Sequence, residues 1–350
     1  PASTSPAKKA RKTKTKSEPS EPDVELPLLS EEEIARCTTI AMPSLPFDLA
    51  HGKEHLVAAD VRFKRLVERI PLKVFEEISG EGGKELNLFR TLVTSILGQQ
   101  VSWLAARAIL YKFTRLWFPE LPEKPDFKTL PRDALPFPTP LQVRSASEST
   151  LRSAGLSGQK VRYVSDIACR FSDGRLDVRS LVAMRDEEDV VRTLVAIKGV
   201  GVWTAQMLLI FALRRPDVLP VGDLGVQKGM VLLWASGREG PAIKSAKALP
   251  EEEEKVVQAV QEGEAPIDGG EDLAALPTLD EHSQEPSKTP TVPALPASSG
   301  LTSAQLNARK NGTKTKGNVY LSAAEMESLA ETWRPYRSLA SVYMWALVDA

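Results

Sequence analysis

A tight glycine turn between two apolar runs is the feature of this sequence that most restricts its fold. The stretch LVAIKGVGVWTAQMLLIFAL, which begins at Leu194, places Gly199 and Gly201 between two segments that favour helix. Glycine adopts positive φ at little cost, so both glycines can use it. The turn exposes backbone N–H groups where the helix dipole favours an anion such as a DNA phosphate. A corner formed only for packing is the alternative interpretation.

Helical periodicity dominates from about Pro43 to Ala235, and strand-like alternation is almost absent. Between Asn87 and Trp117, apolar residues recur at i, i+3, i+4, i+7 and i+8, as on one face of a helix. Asn87 and Ser102 are placed as N-caps of two successive helices, and Gly98 ends the first. The pattern predicts an all-α fold.

Composition limits the class of protein. The chain has 350 residues, of which 42% are hydrophobic and 26% charged, as in a soluble protein of one or two domains. No apolar run reaches the roughly 18–20 residues that a membrane span needs. The given sequence starts with a basic, Pro/Ser-rich stretch, so we do not expect secretion. Two cysteines, Cys37 and Cys169, are too few for a disulfide framework, a four-cysteine zinc site or an iron–sulfur cluster. We expect both to be reduced and buried.

The net charge of −1 averages segments of opposite sign. The composition of residues 1–38 predicts a disordered basic tail. This tail is a nuclear localisation signal, a flexible DNA-binding arm or a solvated segment without a function of its own. Because the chain opens with Pro1 rather than Met, we expect a trimmed fragment. Residues 236–317 predict a disordered acidic and Pro-rich insert, which serves as a tether, an electrostatic mimic of DNA or a spacer. Residues 39–235 form the helical domain, and 318–350 provide its last helices or, alternatively, a separate small module.

Three motifs in order carry a resemblance to a known family. In chain order, they are the stretch SILGQQVSWLAARAI, the hairpin followed by VLPVGDLGVQKG, and the stretch WRPYRSLASVYMW. Together they resemble the helix-hairpin-helix (HhH-GPD) DNA glycosylase superfamily, in particular its 3-methyladenine glycosylase branch in bacterial and fungal forms. The resemblance implies a two-lobed all-helical fold with a DNA cleft and base pocket between the lobes. It also implies a monofunctional glycosylase of base excision repair that acts on alkylated purines.

The resemblance places the catalytic carboxylate at Asp223. Breaking an N-glycosidic bond makes the sugar resemble an oxocarbenium ion, which a nearby carboxylate stabilises. Asp223 also suits the N-cap of the next helix, and the two roles are compatible. Relatives that also cut the strand have a lysine where this chain has Trp203, so we expect no lyase activity. A non-catalytic DNA-binding module and a bifunctional glycosylase/lyase are the alternatives.

The resemblance assigns Trp203, Met207 and Trp345 to the base pocket. Tryptophan faces attract a positively charged alkylated purine by cation–π contact, although core packing is the ordinary fate of such residues. Met207 stands where the bacterial relative has an aromatic residue. Gln99 and Gln100 form a knuckle between two helices, and Gln100 is expected to fill the space left by a flipped base. An ordinary turn with an inward glutamine is the alternative.

The remaining expectations concern partners and ligands. The residues expected to contact DNA are Gln99, Gln100, Ser102, Lys198, Gly199, Val200, Gly201, Thr204 and Lys228. No cofactor is expected to be required, although relatives suggest a structural monovalent cation at the hairpin. The expected partners are duplex DNA with alkylated bases and a separate abasic-site endonuclease. We expect a nuclear monomer without a membrane partner.

Overall fold

The structure is a computed structural model of the chain. It describes residues 26–42, 45–73, 75–76, 84–127, 135–243, 264–266 and 290–349. The predicted disorder of residues 1–25, 244–263 and 267–289 concerns parts that lie outside the described residues.

Helices account for most of the described chain, so the all-α prediction is confirmed. The α-helices are α1 Glu31–Thr38, α2 Leu49–Ala59, α3 Phe63–Arg69, α4 Leu88–Gly98, α5 Trp103–Arg115, α6 Pro140–Ser145, α7 Glu148–Ser153, α8 Gly158–Ser172, α9 Val178–Ala183, α10 Glu187–Val195, α11 Val202–Met207, α12 Leu224–Trp234, α13 Ser303–Lys310, α14 Ala323–Ala330 and α15 Arg337–Asp349. A π-helical turn, Leu208–Ala212, continues α11, and Ala297–Ser299 and Glu331–Trp333 form single 3₁₀ turns.

A small antiparallel sheet was not predicted. It joins β1 Thr39–Met42, β2 Lys84–Asn87 and β3 Glu264–Pro266 in that order, with Thr39 opposite Asn87. Each strand has only three or four residues, too few for a period of two to stand out in the sequence.

The predicted caps of α4 and α5 are confirmed. The side chain of Asn87 accepts a hydrogen bond from the backbone N of Arg90 at 2.9 Å, and Ser102 Oγ accepts one from the backbone N of Ala105 at 3.4 Å. Each side chain therefore satisfies an N–H group that has no partner inside its helix. Gly98 is the last residue of α4, as predicted.

Helix α12, which begins directly after Asp223, is fixed along its length and at its far end. A Cβ at Gly229 would lie 2.4 Å from the carbonyl oxygen of Met344, so only glycine allows α12 and α15 to approach this closely. At the end of α12, the buried Arg62 guanidinium donates to the carbonyl oxygens of Leu233 and Trp234, both at 3.2 Å. Asp60 Oδ2, 2.6 Å from Arg62 Nη2, balances its charge.

The C-terminal helix packs into the same core as the rest of the described chain. Ser338 Oγ donates to the carbonyl oxygen of Arg215 at 2.6 Å and accepts from the backbone N of Val218 at 3.0 Å. These bonds attach α15 to the loop that precedes Asp223. The alternative of a separate module at residues 318–350 is therefore not what the structure shows.

Two predictions of disorder are wrong in part. Residues 26–38 include α1, which has a capping box between Ser30 and Glu33 and buries Ile34. Residues 290–317 include α13, which buries Leu306. In both segments, a short helix is stabilised by its N-terminal cap and by one buried apolar side chain. Composition alone does not predict such a helix.

Cys37 and Cys169 are free thiols, as predicted, but they are half-buried rather than buried. Burial raises the pKa of the Cys37 thiol. Within the described residues, no helix combines the length and the apolar character that a bilayer crossing requires.

Candidate active site

Asp223 is a buried N-cap whose carboxylate is held from three sides. Its Oδ1 accepts hydrogen bonds from the backbone N of Val226 at 2.7 Å and from Trp345 Nε1 at 2.9 Å. Its Oδ2 accepts one from Trp203 Nε1 at 2.7 Å. The N-cap role is therefore confirmed, and only 6% of the residue is exposed. The carboxylate joins the starts of α11 and α12 to α15.

An aromatic stack fixes the indole of Trp345, which is fully buried. The rings of Trp345 and Phe211 stack with centroids 6.1 Å apart, and those of Phe211 and Phe75 with centroids 6.3 Å apart. Phe211 lies in the π-helical turn after α11, a type of distortion often found at functional sites. The stack limits rotation of the indole and so holds its N–H toward Asp223.

Gly225 makes room for this arrangement. A Cβ at this position would lie 2.9 Å from Trp345 Cδ1 and 3.1 Å from Asp223 Oδ1. A larger residue would therefore push the indole away from the carboxylate. A role for Gly225 was not predicted from the sequence. Its position two residues after the proposed catalytic aspartate was the one feature that pointed to it.

The hairpin uses its two glycines differently. Gly199 has φ +89°, and a Cβ there would lie 2.3 Å from the Tyr163 ring on α8. Gly201 has φ −90° and ψ 170°, an ordinary extended conformation, so of the two glycines only Gly199 uses positive φ. Gly201 is the N-cap of α11, and a Cβ there would meet open space. Gly199 thus makes the turn, while Gly201 leaves the helix start uncovered.

Charged groups on α8 hold the hairpin in place. Asp166 Oδ2 accepts from the backbone N of Lys198 at 3.0 Å and from Arg170 Nε at 2.8 Å. Arg170 Nη2 also donates to the carbonyl oxygen of Ala196 at 2.7 Å. These contacts between α8 and the hairpin were not predicted from the sequence. The spacing of Asp166 and Arg170 at i, i+4 indicated only that the two side chains could pair.

The knuckle is attached to the hairpin. Gln99 Nε2 donates to the carbonyl oxygen of Gly199 at 3.0 Å, so Gln99 faces inward. Gln100 is exposed and has φ +58°, which is uncommon for a residue other than glycine. Lys160 Nζ donates to the carbonyl oxygen of Leu97 at 2.6 Å, and burial lowers the pKa of this lysine. The knuckle and the hairpin therefore form one assembly with Gln100 projecting from it.

Some predicted site residues lie in the core instead of at the surface. Met207 and Trp345 are fully buried, so of the three predicted pocket residues only Trp203 is partly exposed. Met207 is the last residue of α11, and its burial leaves no accessible side-chain surface for a base in this conformation. The side chains of Val200 and Thr204 are also buried, which leaves only their backbone for DNA contact.

The predicted basic DNA contacts differ in availability. Lys198 extends into solvent with 68% of its side chain exposed, and its Nζ lies 3.7 Å from Asp166 Oδ1. Lys228 is partly buried on α12, just beyond its first turn. The exposed Ser102 uses its hydroxyl to cap α5.

Fold and site together define an all-helical protein with a helix-hairpin-helix element and a carboxylate at the start of the next long helix. The family model described as HhH-GPD superfamily base excision DNA repair protein matches residues 93–257. This range includes the knuckle, the hairpin and Asp223. Residues 93–257 thus match the HhH-GPD family model, in agreement with the resemblance inferred from the motifs.

Two fungal relatives are similar in sequence. DNA-3-methyladenine glycosylase 1 of Schizosaccharomyces pombe is 29% identical over 185 residues, which cover 52% of this chain and 71% of the relative. DNA-3-methyladenine glycosylase of Saccharomyces cerevisiae is 34% identical over 143 residues, which cover 40% of this chain and 45% of the relative. The chain thus spans less than half the length of the second relative.

A solved structure of DNA-3-methyladenine glycosidase from Bacillus halodurans is also similar. It has 23% sequence identity and a TM-score of 0.43, with 85% of this chain and 89% of that chain covered.

Proposed function

We propose that this chain is a monofunctional DNA glycosylase that removes alkylated purines from duplex DNA and leaves an abasic site. The observation that carries the proposal is the carboxylate of Asp223, which three N–H groups orient and which Trp203 joins directly to the hairpin helix. A buried aspartate with this attachment suits a reaction at DNA held by the hairpin. The names of the two fungal relatives support the same activity and substrate class.

The sugar has one side from which to approach the carboxylate. Oδ1 already accepts two N–H groups, one from the backbone and one from the fully buried Trp345. Oδ2 accepts one, from the partly exposed Trp203, and so retains acceptor capacity. The flipped nucleotide therefore comes from the Trp203 side, where Oδ2 takes a further contact while it keeps the indole N–H.

The chemistry follows from this placement. The N-glycosidic bond breaks, the bonding electrons leave with the base, and positive charge develops at the sugar C1′ atom. The fixed carboxylate stabilises this charge without having to reorganise. Water then adds to C1′, and its proton passes to the carboxylate or to solvent. The cationic base stacks on the exposed face of Trp203, a contact worth about 0.5–2 kcal/mol.

The DNA strand stays intact, because Trp203 occupies the position where lyase relatives have a lysine and an indole forms no Schiff base. A separate endonuclease would then cut the abasic site. The protein would act as a monomer in the nucleus without a cofactor. Backbone carbonyls at the hairpin could still hold a structural monovalent cation, but those of Ala196 and Gly199 already accept side-chain hydrogen bonds.

Replacing Asp223 with Asn tests the proposal. Asn is as good an N-cap as Asp, so the fold should be retained. The uncharged amide cannot stabilise the cationic sugar, and its NH₂ group cannot accept an indole N–H. Base release from alkylated duplex at saturating enzyme should fall by at least about 10²–10³-fold. Affinity for undamaged duplex should stay within about twofold of wild type, since the phosphate contacts are unchanged.

Asp186→Asn is the matched control, because Asp186 is also an N-cap aspartate, on α10, and accepts from the backbone N of Glu188 at 2.8 Å. This variant should release bases at the normal rate. Normal release by Asp223→Asn would reject the catalytic role and favour a non-catalytic DNA-binding module. Cutting of the abasic strand by the wild-type protein would contradict the monofunctional assignment.

A further inference from the structure

The described end of the insert differs in charge from the rest of that segment. From Pro290 to Ala324 the sequence contains no Asp or Glu, and its basic residues are Arg309, Lys310, Lys314 and Lys316. We call residues 310–318 the basic loop. Its neighbour along the chain, the stretch PEEEEKVVQAVQEGEAPIDGGED that begins at Pro250, is strongly acidic. The basic loop therefore stands out as a separate charged surface.

The basic loop is placed at the Asp223 end of α12. Helix α13, which leads into the loop, packs against α12. After the loop, the backbone N of Tyr320 donates to Gln227 Oε1 at 3.0 Å. Gln227 lies four residues after Asp223 and is itself held by the carbonyl oxygen of Val221, at 3.0 Å. These contacts place the loop beside the loop that carries the carboxylate.

The loop has a defined conformation that leaves its lysines free. The backbone N of Thr315 donates to the carbonyl oxygen of Val319 at 2.8 Å, and Gly317 closes the turn with φ +92°. Lys310, Lys314 and Lys316 are all exposed, and none of them has an ion-pair partner among the described residues. Lys314 Nζ lies 4.9 Å above the ring of Tyr320.

The preceding basic residue behaves differently. Arg309 is buried and pairs with Glu325, with Nη2 2.9 Å from Oε1. Its charge is therefore neutralised within the protein, and the pair anchors α13 to α14. The three lysines of the basic loop extend from this anchor into solvent.

We infer that the basic loop binds the phosphate backbone of duplex DNA and adds a DNA contact to those of the hairpin and the knuckle. Three unneutralised cations in an acid-free turn attract a polyanion. Their position at the Asp223 end of α12 places them on the same part of the molecule as the carboxylate that must reach a sugar. The inference rests on the proposed function in so far as that function makes duplex DNA the partner.

The test replaces Lys310, Lys314 and Lys316 with Ala in the full chain and measures affinity for an undamaged duplex over a range of salt concentrations. Each lost phosphate contact lowers the slope of log K against log salt by about 0.9, so three contacts predict a slope smaller by roughly 2–3. The rate of base release at saturating enzyme should be unchanged, because these lysines do not touch the carboxylate.

The matched control replaces the three exposed lysines Lys64, Lys112 and Lys124 with Ala. Lys64 lies near Arg62, at the opposite end of α12 from Asp223. The control should keep the wild-type salt slope, and thermal unfolding should show both triple variants folded.

Two results would overturn the inference. Equal salt slopes in the two triple variants would mean that the basic loop does not contact DNA. Tighter DNA binding by the basic-loop variant would mean that the lysines serve an acidic protein segment instead. Failure of the proposed function is seen separately, as an absence of base release by the wild-type protein, and does not alter the measured slope.

Discussion

The hairpin and the Asp223 site use the chain in opposite ways. At the hairpin, Gly199 and Gly201 have no side chains, and the side chains of Val200 and Thr204 turn into the core, so backbone groups lie open beside the exposed Lys198. At the carboxylate, side chains from separate helices meet in one hydrogen-bonded group. Contact with DNA of any sequence is made through the phosphates, which exposed backbone N–H groups can approach closely. Chemistry at one bond needs functional groups held in fixed positions.

Trp203 connects these two regions. It lies in the first turn of α11, next to the hairpin, and its indole N–H reaches Asp223 at 2.7 Å. Movement of the hairpin would therefore displace a donor of the carboxylate. The contrast between a backbone surface and a side-chain site can be tested by substitutions that affect only one of them.

Gly199→Ala should have the largest effect on stability. The new methyl group would overlap the Tyr163 ring, and the positive φ alone would cost about 1–3 kcal/mol. We expect the free energy of unfolding in urea to fall by more than that amount, with DNA affinity reduced as well. An unchanged unfolding midpoint would contradict the role assigned to this glycine.

Gly201→Ala sharpens the contrast, because its methyl group would enter open space from an allowed conformation. Loss of stability should be about 1 kcal/mol or less. Affinity for undamaged duplex should nevertheless fall several-fold, since the methyl group would lie where a phosphate approaches the helix start. Wild-type affinity would show that DNA does not contact the backbone here.

Trp203→Phe should slow base release at saturating enzyme by about tenfold or more, because a hydrogen bond to a charged group contributes about 1.5–3 kcal/mol. Affinity for undamaged duplex should change little. The control is Trp333→Phe, since Trp333 is a buried indole whose N–H has no hydrogen-bond partner among the described residues. Equal rates for the two variants would contradict a role for the Trp203 N–H at the carboxylate.

Gln100→Ala should have the smallest effect. Its exposed side chain is expected to fill the space that a flipped base leaves in the duplex. Its loss should therefore weaken binding to alkylated duplex by about two- to tenfold and leave binding to undamaged duplex unchanged. Gln99→Ala should instead weaken binding to both duplexes, because it removes the bond between the knuckle and the hairpin. Equal losses on both duplexes for Gln100→Ala would reject its role as a wedge.

Local signals in the sequence predicted much of the fold. Asn87, Ser102 and Gly98 mark helix ends through rules that need only neighbouring residues, and the structure confirms each of them. The sheet was missed because its strands are short and pair across long separations in the sequence. Helix α13 was missed because its order depends on contact with α12, which composition does not reveal.

Three residues selected from the motifs meet in the structure, but their geometry was not predicted. The motifs selected Asp223, Trp203 and Trp345, and the structure brings all three together. The two tryptophans were expected to present their ring faces to a base. In the structure, both indoles also donate their N–H groups to the carboxylate. Such orientation depends on packing, as in the stack of Trp345 on Phe211 and the space left by Gly225.

The Asp60–Arg62 pair at the far end of α12 has a practical consequence for experiments with salt. Both side chains are buried, so dissolved ions screen their attraction weakly, whereas contacts with phosphates are steeply weakened by counterions. Raising the ionic strength should thus release the protein from DNA, while the helix that begins at Asp223 remains packed in the fold. Salt therefore offers a reversible way to separate DNA binding from the integrity of the Asp223 site.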